Sequence, residues 1–90
     1  MDKIIITVVG KDTVGIIAKV CTYLSENNIN ILDISQTIVS GFFNMMMIAD
    51  MSSAKIGFGE LCEAMDALGE KIGVSVKCQK EEIFEMMHRI

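Results

Sequence analysis

The stretch KIIITVVGKDTVGIIAKVCTYLSENN, residues 3–28, decides the fold because its hydrophobic period changes once, across a loop. Residues 4–9 are an almost unbroken β-branched run, which is typical of a strand buried on both faces. A loop follows over residues 10–13, and from Val14 to about Asn27 the spacing predicts a helix. Its apolar side is Ile17, Val20, Cys21 and Leu24. The stretch therefore predicts a strand, a loop and a helix.

The next stretch predicts a hairpin. Residues 30–39 alternate, with Leu32, Ile34 and Ile38 on one side and Gln36 as an exception among them. Ser40-Gly41 fits a two-residue hairpin turn, in which glycine supplies a positive φ. Residues 42–50 form a return strand that is apolar on both faces. Two strands joined in this way pair antiparallel.

The last third predicts a second helix and a fourth strand. Ser52 or Ser53 is the expected N-cap of the helix and Gly73 its end. Its apolar stripe is Phe58, Leu61, Cys62, Met65, Leu68 and Ile72. Residues 74–79 alternate, which predicts a strand with one wet face. Residues 81–90 have the pattern of a short helix, with acids at its start and bases at its end.

The element order β-α-β-β-α-β predicts an α+β, ferredoxin-like sandwich with helices on one face and a short C-terminal helix. Right-handed crossovers and the two continuously apolar strands favour an antiparallel sheet of order 4-1-3-2. The chain is predicted to be one domain, 1–90, with a core over 3–80 and the terminal helix over 81–90. We expect Val39, Phe43, Met45 and Met47 to line the sheet face away from the helices. Either a second subunit or the terminal helix covers that face, and subunit pairing is preferred.

Composition excludes several classes of function. The chain has 90 residues, of which 51% are hydrophobic, and a net charge of −4. The eight scattered basic residues do not form the patch that a nucleic-acid binder needs. Three cysteines without a close spacing are interpreted as reduced, small apolar residues, which predicts a cytoplasmic location. No apolar run reaches the length of a membrane span, and no motif predicts a cofactor.

Residues for catalysis are scarce. His88 is the only histidine, so no Cys-His or Ser-His pair has a firm scaffold. The isolated carboxylates Asp33 and Asp50 are expected on the open side of the sheet and at a turn. An acylphosphatase-type hydrolase of this topology would need a loop arginine, and the only arginine is Arg89. We therefore expect a protein that is not an enzyme.

The first loop carries the most information about function. It joins a central strand to a helix N-terminus, where free backbone N–H groups can receive a carboxylate. Gly15 has no side chain, so a ligand or a neighbouring chain can approach the backbone. Asp12 could accept a ligand's ammonium group. Alternatively, Asp12 or Thr13 serves only as a helix cap, and Asn30 only starts its strand through local hydrogen bonds.

The runs VGKDTVGIIAKV, residues 9–20, and LSENNINILDI, residues 24–34, resemble the ACT domain at its first strand-to-helix junction and its second strand. The chain is also similar to small standalone ACT proteins and to the ACT portions of the glycine cleavage system transcriptional repressor. The resemblance implies an amino-acid site at an interface between paired domains. It places that site on Gly10, Asp12, Thr13, Val14, Gly15, Ile16, Asn30 and Ile31. Val14 stands where many ACT domains have proline.

Two functions remain in competition at this point. In the first, a homodimer or higher homo-oligomer binds a small molecule, and a partner enzyme or regulator reads its geometry. In the second, the chain is a structural oligomerisation module without a ligand. The sequence names neither the ligand nor the partner.

Overall fold

A computed structural model describes residues 2–11 and 15–81 of the chain. It contains four strands and two helices in the predicted order. They are β1 (Lys3–Lys11), α1 (Ile16–Glu26), β2 (Asn30–Val39), β3 (Phe42–Asp50), α2 (Phe58–Ile72) and β4 (Ser75–Lys80). The predicted terminal helix falls on residues 81–90, of which 82–90 lie outside the described residues.

The four strands form one antiparallel sheet in the order β2-β3-β1-β4, which confirms the predicted topology. Strand β1 pairs with β3 from Lys3↔Asp50 to Lys11↔Phe42, and with β4 from Ile4↔Lys80 to Val9↔Ser75. Among residues 2–11 and 15–81, strand β2 pairs only with β3 and forms one edge of the sheet. The two continuously apolar strands are therefore central, because a central strand needs apolar side chains on more of its surface.

One face of the sheet carries both helices and the core. Alternate residues of β1 are fully buried there: Ile4, Ile6 and Val8 are each 0% exposed. They pack in one cluster with α1 and α2, to which the helices contribute Val20, Leu24, Leu61 and Met65. Alternate residues of the strands and the apolar faces of the helices therefore form one apolar layer, as the patterns predicted.

The prediction for the opposite face was partly wrong. Phe43, Met45 and Met47 are buried in the core under the helices, not on the open face. Only Val39 lies on the predicted side, since it pairs with Phe42 one residue out of phase with them. β3 is apolar on both faces, and the only sign of which half faces solvent is weak: the polar residues Asn44 and Asp50 share the open face with Phe42 and Met46. The open face instead presents Phe42 and Met46, which are 48% and 38% exposed.

Helix α1 ends as predicted, at the two asparagines. Asn28 adopts φ 60°, and two backbone bonds close the end: Ile29 N–H to Leu24 O (2.9 Å) and Asn28 N–H to Ser25 O (3.1 Å). This is a Schellman motif, and its usual apolar contact is provided by buried Leu24 and Ile29. The motif directs the chain straight into β2.

The predicted start of α2 was wrong. The helix begins at Phe58 after Gly57, which makes no side-chain cap, while Ser52 and Ser53 lie in an earlier turn. Ser52 is held there by Asp50, as described below. The end at Gly73 is confirmed, with φ 84° and backbone bonds back to Gly69. The hairpin turn is also confirmed, with positive φ at both Ser40 and Gly41.

Gly10 is required by packing between β1 and the segment that follows α2. A Cβ atom at Gly10 would lie 2.5 Å from Cγ1 and 2.9 Å from Cβ of Val74. Both atoms belong to a short branched side chain that cannot rotate away freely. The glycine therefore sets how closely the α2–β4 connection approaches the sheet.

We expect Gly10→Ala to lower the free energy of unfolding by about 1–3 kcal/mol, because the added methyl overpacks this contact. Chemical denaturation measures the change. Gly59→Ala is the matched control, since a Cβ there meets nothing within 4 Å on an exposed turn of α2. It should be neutral or gain up to about 1 kcal/mol from better helix propensity. Equal losses in both variants would contradict the packing role of Gly10.

Candidate functional site

The structure places the predicted site residues at two opposite ends of the sheet. Gly10 lies near the end of β1, and Gly15 and Ile16 follow the loop. Asn30 and Ile31 start β2, where Asn30 pairs with Asp50, the partner of Lys3 at the other end of β1. The remaining predicted residues, 12–14, lie outside the described residues. Within one chain the described groups form two half-sites, and the structure does not bring them together.

The first half-site is the N-terminus of α1. Gly15 adopts φ 89° and makes no side-chain cap, and no atom of the described residues beyond its chain neighbours lies within 4 Å of a notional Cβ. The first turn of α1 carries no acidic residue. Ile16 is 2% exposed, so its side chain belongs to the core and only its backbone could meet a ligand. The first turn therefore leaves the partial positive charge of its N–H groups without a carboxylate of its own.

The second half-site is a cleft of about 370 Å³ between the last turns of α1 and the start of β2. We call it the β2 cleft. Its lining residues are Cys21, Ser25, Asn28, Ile29, Asn30 and Ile31, and none of them is acidic or basic. Two predicted residues, Asn30 and Ile31, line it. Sequence analysis missed the other four, although Cys21 and Ser25 stand four residues apart, a spacing that places both on one helix face.

The Asn27-Asn28 corner beside the β2 cleft is bonded to the turn after β3. The Asn28 side-chain amide donates to Ser53 O (3.0 Å), and Lys55 N–H donates to Asn27 O (3.0 Å). The last turn of α1 contains no basic residue, so the carbonyl end of this helix is not neutralised from within that turn. The cleft therefore places uncharged polar groups beside the negative end of the α1 dipole.

Asp50 organises the same end of the sheet. Its Oδ1 accepts from the Ser52 hydroxyl (2.6 Å), Ser52 N–H (3.0 Å) and Asp2 N–H (3.2 Å). These bonds, chiefly those from Ser52, hold the pKa of Asp50 below its usual value. The expected turn position of Asp50 is confirmed. The bonds tie the start of β1 to the turn that supports the β2 cleft.

Two thiols meet away from both half-sites. The Cys78 thiol on β4 is hydrogen-bonded to Cys62 on α2, and all three cysteines are free and partly buried. Burial raises the pKa of Cys62, and it raises the pKa of Cys78 to about 12. Thiolates are the reactive form, so these groups are poor nucleophiles at neutral pH. This agrees with the interpretation of the cysteines as small packing residues.

Across residues 2–11 and 15–81, no group of three or more His, Cys, Asp or Glu side chains could hold a metal ion. The same residues contain no helix long and apolar enough to cross a bilayer.

The fold and the two half-sites define a ferredoxin-like domain whose uncharged cleft lies beside an edge strand. A family model described as the ACT domain matches residues 2–79. The chain therefore belongs to the ACT domain family. A UPF0237 protein of Bifidobacterium longum is 62% identical over 90 residues and is covered completely, as is this chain. A solved ACT domain protein from Streptococcus pneumoniae is 42% identical, with a TM-score of 0.81. The match covers 93% of this chain and 94% of the Streptococcus chain.

Two more distant structures share the fold alone. One, assigned as a glycine cleavage system transcriptional repressor, is 20% identical with a TM-score of 0.74; the match covers 88% of this chain and 45% of that one. The other is a formyltetrahydrofolate deformylase from Pseudomonas syringae, 23% identical with a TM-score of 0.81. It matches over 89% of this chain and 28% of its own length. The same fold thus occurs as one part of longer proteins.

The Asp50 turn leads to a prediction about acid stability. A lowered pKa means that the folded chain binds the carboxylate's proton less readily than the unfolded chain does. Its stabilising effect is complete above the usual value of 3.8 and is lost as the pH falls through the lower folded value. We expect Asp50→Asn to melt below the wild type at pH 7, with the difference shrinking as the pH falls below 3.8.

Thermal melts across this pH range measure the effect. Asp66→Asn is the matched control, because it removes the same charge from the exposed surface of α2, far from the Asp50 turn in sequence. A difference between wild type and Asp50→Asn that stays constant with pH would contradict the role assigned to the ionised carboxylate.

Proposed function

We propose that the protein is a non-enzymatic regulatory module that binds an amino acid between two copies of the chain. The α1 N-terminus of one copy receives the carboxylate, and the β2 cleft of the other receives the ammonium end and the side chain. The observation that carries this proposal is the separation of two complementary half-sites within each chain. The proposed output is a change in pairing geometry that a partner enzyme or regulator reads.

The separation is set by the sheet register. At one end of the sheet, three paired residues lie side by side: Lys11, Phe42 and Val39. At the other end, the corresponding residues are Lys3, Asp50 and Asn30. Eight residue steps along β1 correspond to about 26 Å, far more than one amino acid can bridge. If two copies pair antiparallel through the edge strand β2, a two-fold axis relates them, and the strands of the second copy run in the opposite direction. The Asn30 end of one chain then lies next to the loop end of the other.

The charges of the two half-sites fit a zwitterion. The α1 N-terminus offers backbone N–H groups with no acidic residue in the first turn, and the last turn has no basic residue at the carbonyl end. Antiparallel pairing sets the positive end of one α1 near the negative end of the other. An amino acid carries its opposite charges a few ångströms apart, so both dipole ends stabilise the same ligand. The uncharged lining of the β2 cleft disfavours a third charge on the ligand side chain.

The edge strand supports pairing between copies. In the described sheet, β2 leaves one row of backbone groups without a neighbouring strand, which is a template for another chain. Four of its exposed side chains are large and apolar: Leu32 is 41% exposed, Ile34 40%, Ile38 61% and Val39 59%. Burying them against a second copy stabilises a homodimer through apolar transfer. A higher homo-oligomer remains compatible with this contact.

A thermal-shift screen of the purified protein against the twenty amino acids tests the proposal. A ligand at a hundred times its Kd adds about 2.7 kcal/mol to stability, which raises the melting temperature by several degrees. We expect a dose-dependent rise with an uncharged side chain. Asn30→Ala should reduce that rise, because Asn30 lines the β2 cleft. Asp12→Ala tests the sequence-based prediction that Asp12 takes part.

Asn44→Ala is the matched control, since Asn44 lies on β3 outside the cleft lining and should leave the shift unchanged. A shift that survives Asn30→Ala would place the ligand elsewhere. No shift at millimolar concentrations, in a protein that is dimeric by light scattering, would favour the structural oligomerisation module. The cytoplasmic location remains a prediction from cysteine usage.

A further inference from the structure

Ile5 is buried on the open face of the sheet, the side away from the helices. Only 4% of Ile5 is exposed, yet it is not part of the core cluster under α1 and α2. Its paired neighbours are Ile48 on β3 and Gln79 on β4, which share its face. Val9 lies on the same face of the same strand, also between paired residues of β3 and β4, and is 40% exposed. Sheet neighbours alone therefore do not explain why Ile5 is covered.

The cover of Ile5 has to come from outside the described residues, because both described helices pack on the other face. Met1 is a single side chain. Residues 12–14 follow the far end of β1, six residue steps or about 20 Å from Ile5. Residues 82–90 form a longer stretch and follow β4, the strand beside Ile5. Position and length therefore favour this last stretch, which we call the C-terminal segment.

The chain leaves β4 towards the open face. Lys80 still points to the helix side, where its Nζ lies 5.5 Å from the centre of the Phe58 ring. The next residue, Glu81, points the other way, since its Oε2 lies 3.9 Å from Nζ of Lys3. Lys3 is on the open face, two residues before Ile5 on the same strand. The last described residue therefore lies on the side of the sheet where Ile5 is covered.

The sequence of the C-terminal segment, EIFEMMHRI, fits a helix that packs on an apolar surface. Four apolar residues recur at i, i+3, i+4 and i+7, the spacing of one helix side: Ile83, Met86, Met87 and Ile90. Polar residues fall on the opposite side: Glu85, His88 and Arg89. A helix this short is marginal alone in water and needs tertiary packing. We propose that residues 82–90 form a helix that packs on the open face over Ile5 of the same chain, with the apolar side inward.

The length of the C-terminal segment matches the extent of the cover. Its helix would span about 13 Å, and four residue steps along β1, from Lys3 to Thr7, span about the same distance. A helix laid along β1 therefore passes over Ile5 and ends before Val9, which is exposed. Phe42, level with the far end of β1, is 48% exposed and lies beyond the helix as well.

The proposed helix divides the open face into two parts. At the start of β1 it creates a second, small apolar core around Ile5 and Ile48. At the other end it leaves an exposed apolar patch, made of Val9, Val39 and Phe42. Two copies cannot stack their open faces over Ile5 while the helix is in place. The C-terminal segment thus restricts the contacts of this face to the exposed patch.

Thiol labelling of the full chain tests the cover. Ile5→Cys and Val9→Cys are treated separately with iodoacetamide, and mass spectrometry of peptides distinguishes each label from those on the native cysteines. We expect position 5 to react about tenfold more slowly than position 9, because it reacts only when the helix opens. Adding Met87→Asp puts a charge into the apolar side and should raise the rate at position 5 about tenfold, with position 9 unchanged. His88→Asp is the matched control, since it adds the same charge on the polar side.

The native Cys78 reports global unfolding in the same samples, because its side chain packs against the core. Its labelling should stay unchanged when position 5 becomes reactive. If Cys78 also becomes reactive with Met87→Asp, the milder Met87→Ala takes its place in the same comparison.

Equal reactivity of positions 5 and 9 in the full chain would overturn the proposal, as would protection of position 5 that survives the substitution of Met87. Protection that disappears on dilution would assign the cover to a second copy and overturn its placement within one chain. The amino-acid thermal shift is measured separately, so the proposed ligand binding stands or falls independently of these results.

Discussion

The pairing of β1 on both sides is the constraint on which the rest of the structure depends. β1 is bonded to β3 along its whole length and to β4 over six residues, while Ile4, Ile6 and Val8 anchor both helices from below. These three side chains are fully buried, and each contributes about 1.5–3 kcal/mol by leaving water. A strand held in this way cannot slip, because a shift of one residue would expose its whole core face. The position of the loop after Lys11 follows from it.

The same register explains why one chain is insufficient for the proposed site. The β1–α1 crossover places the helix N-terminus at one end of the sheet, and the Schellman end of α1 delivers β2 to the other. No local rearrangement brings these ends together without breaking the β1–β3 ladder. A two-fold axis would bring the α1 N-terminus of one chain next to the start of β2 of the other without strain, because the second chain is turned as a whole.

Much of the fold could be predicted from the sequence, because each correct element had a period or a punctuating residue. β1 had its β-branched run, α1 its apolar stripe and paired asparagines, and the hairpin its Ser40-Gly41 turn. The errors fell where these signals were missing. β3 is apolar on both faces and only Asn44 and Asp50 mark its open side, so the prediction assigned its faces wrongly. Ser52 has the residue type of a helix cap although it binds Asp50. The candidate site was half predicted: Asn30 was named, but Cys21 and Ser25 join it only through the tertiary approach of α1 to β2.

A site shared between copies makes ligand binding and association one equilibrium. If the ligand binds only where two chains meet, it stabilises the dimer by RT ln(1 + [L]/Kd) for each occupied site, and two equivalent sites act together. Conversely, a fraction of unpaired chains lowers the apparent affinity by the same fraction. A short edge contact is suited to this role, because a very stable dimer would leave the ligand nothing to shift. In the proposed dimer, the exposed isoleucines of β2 would have to be apolar enough to pair and few enough to leave the equilibrium responsive.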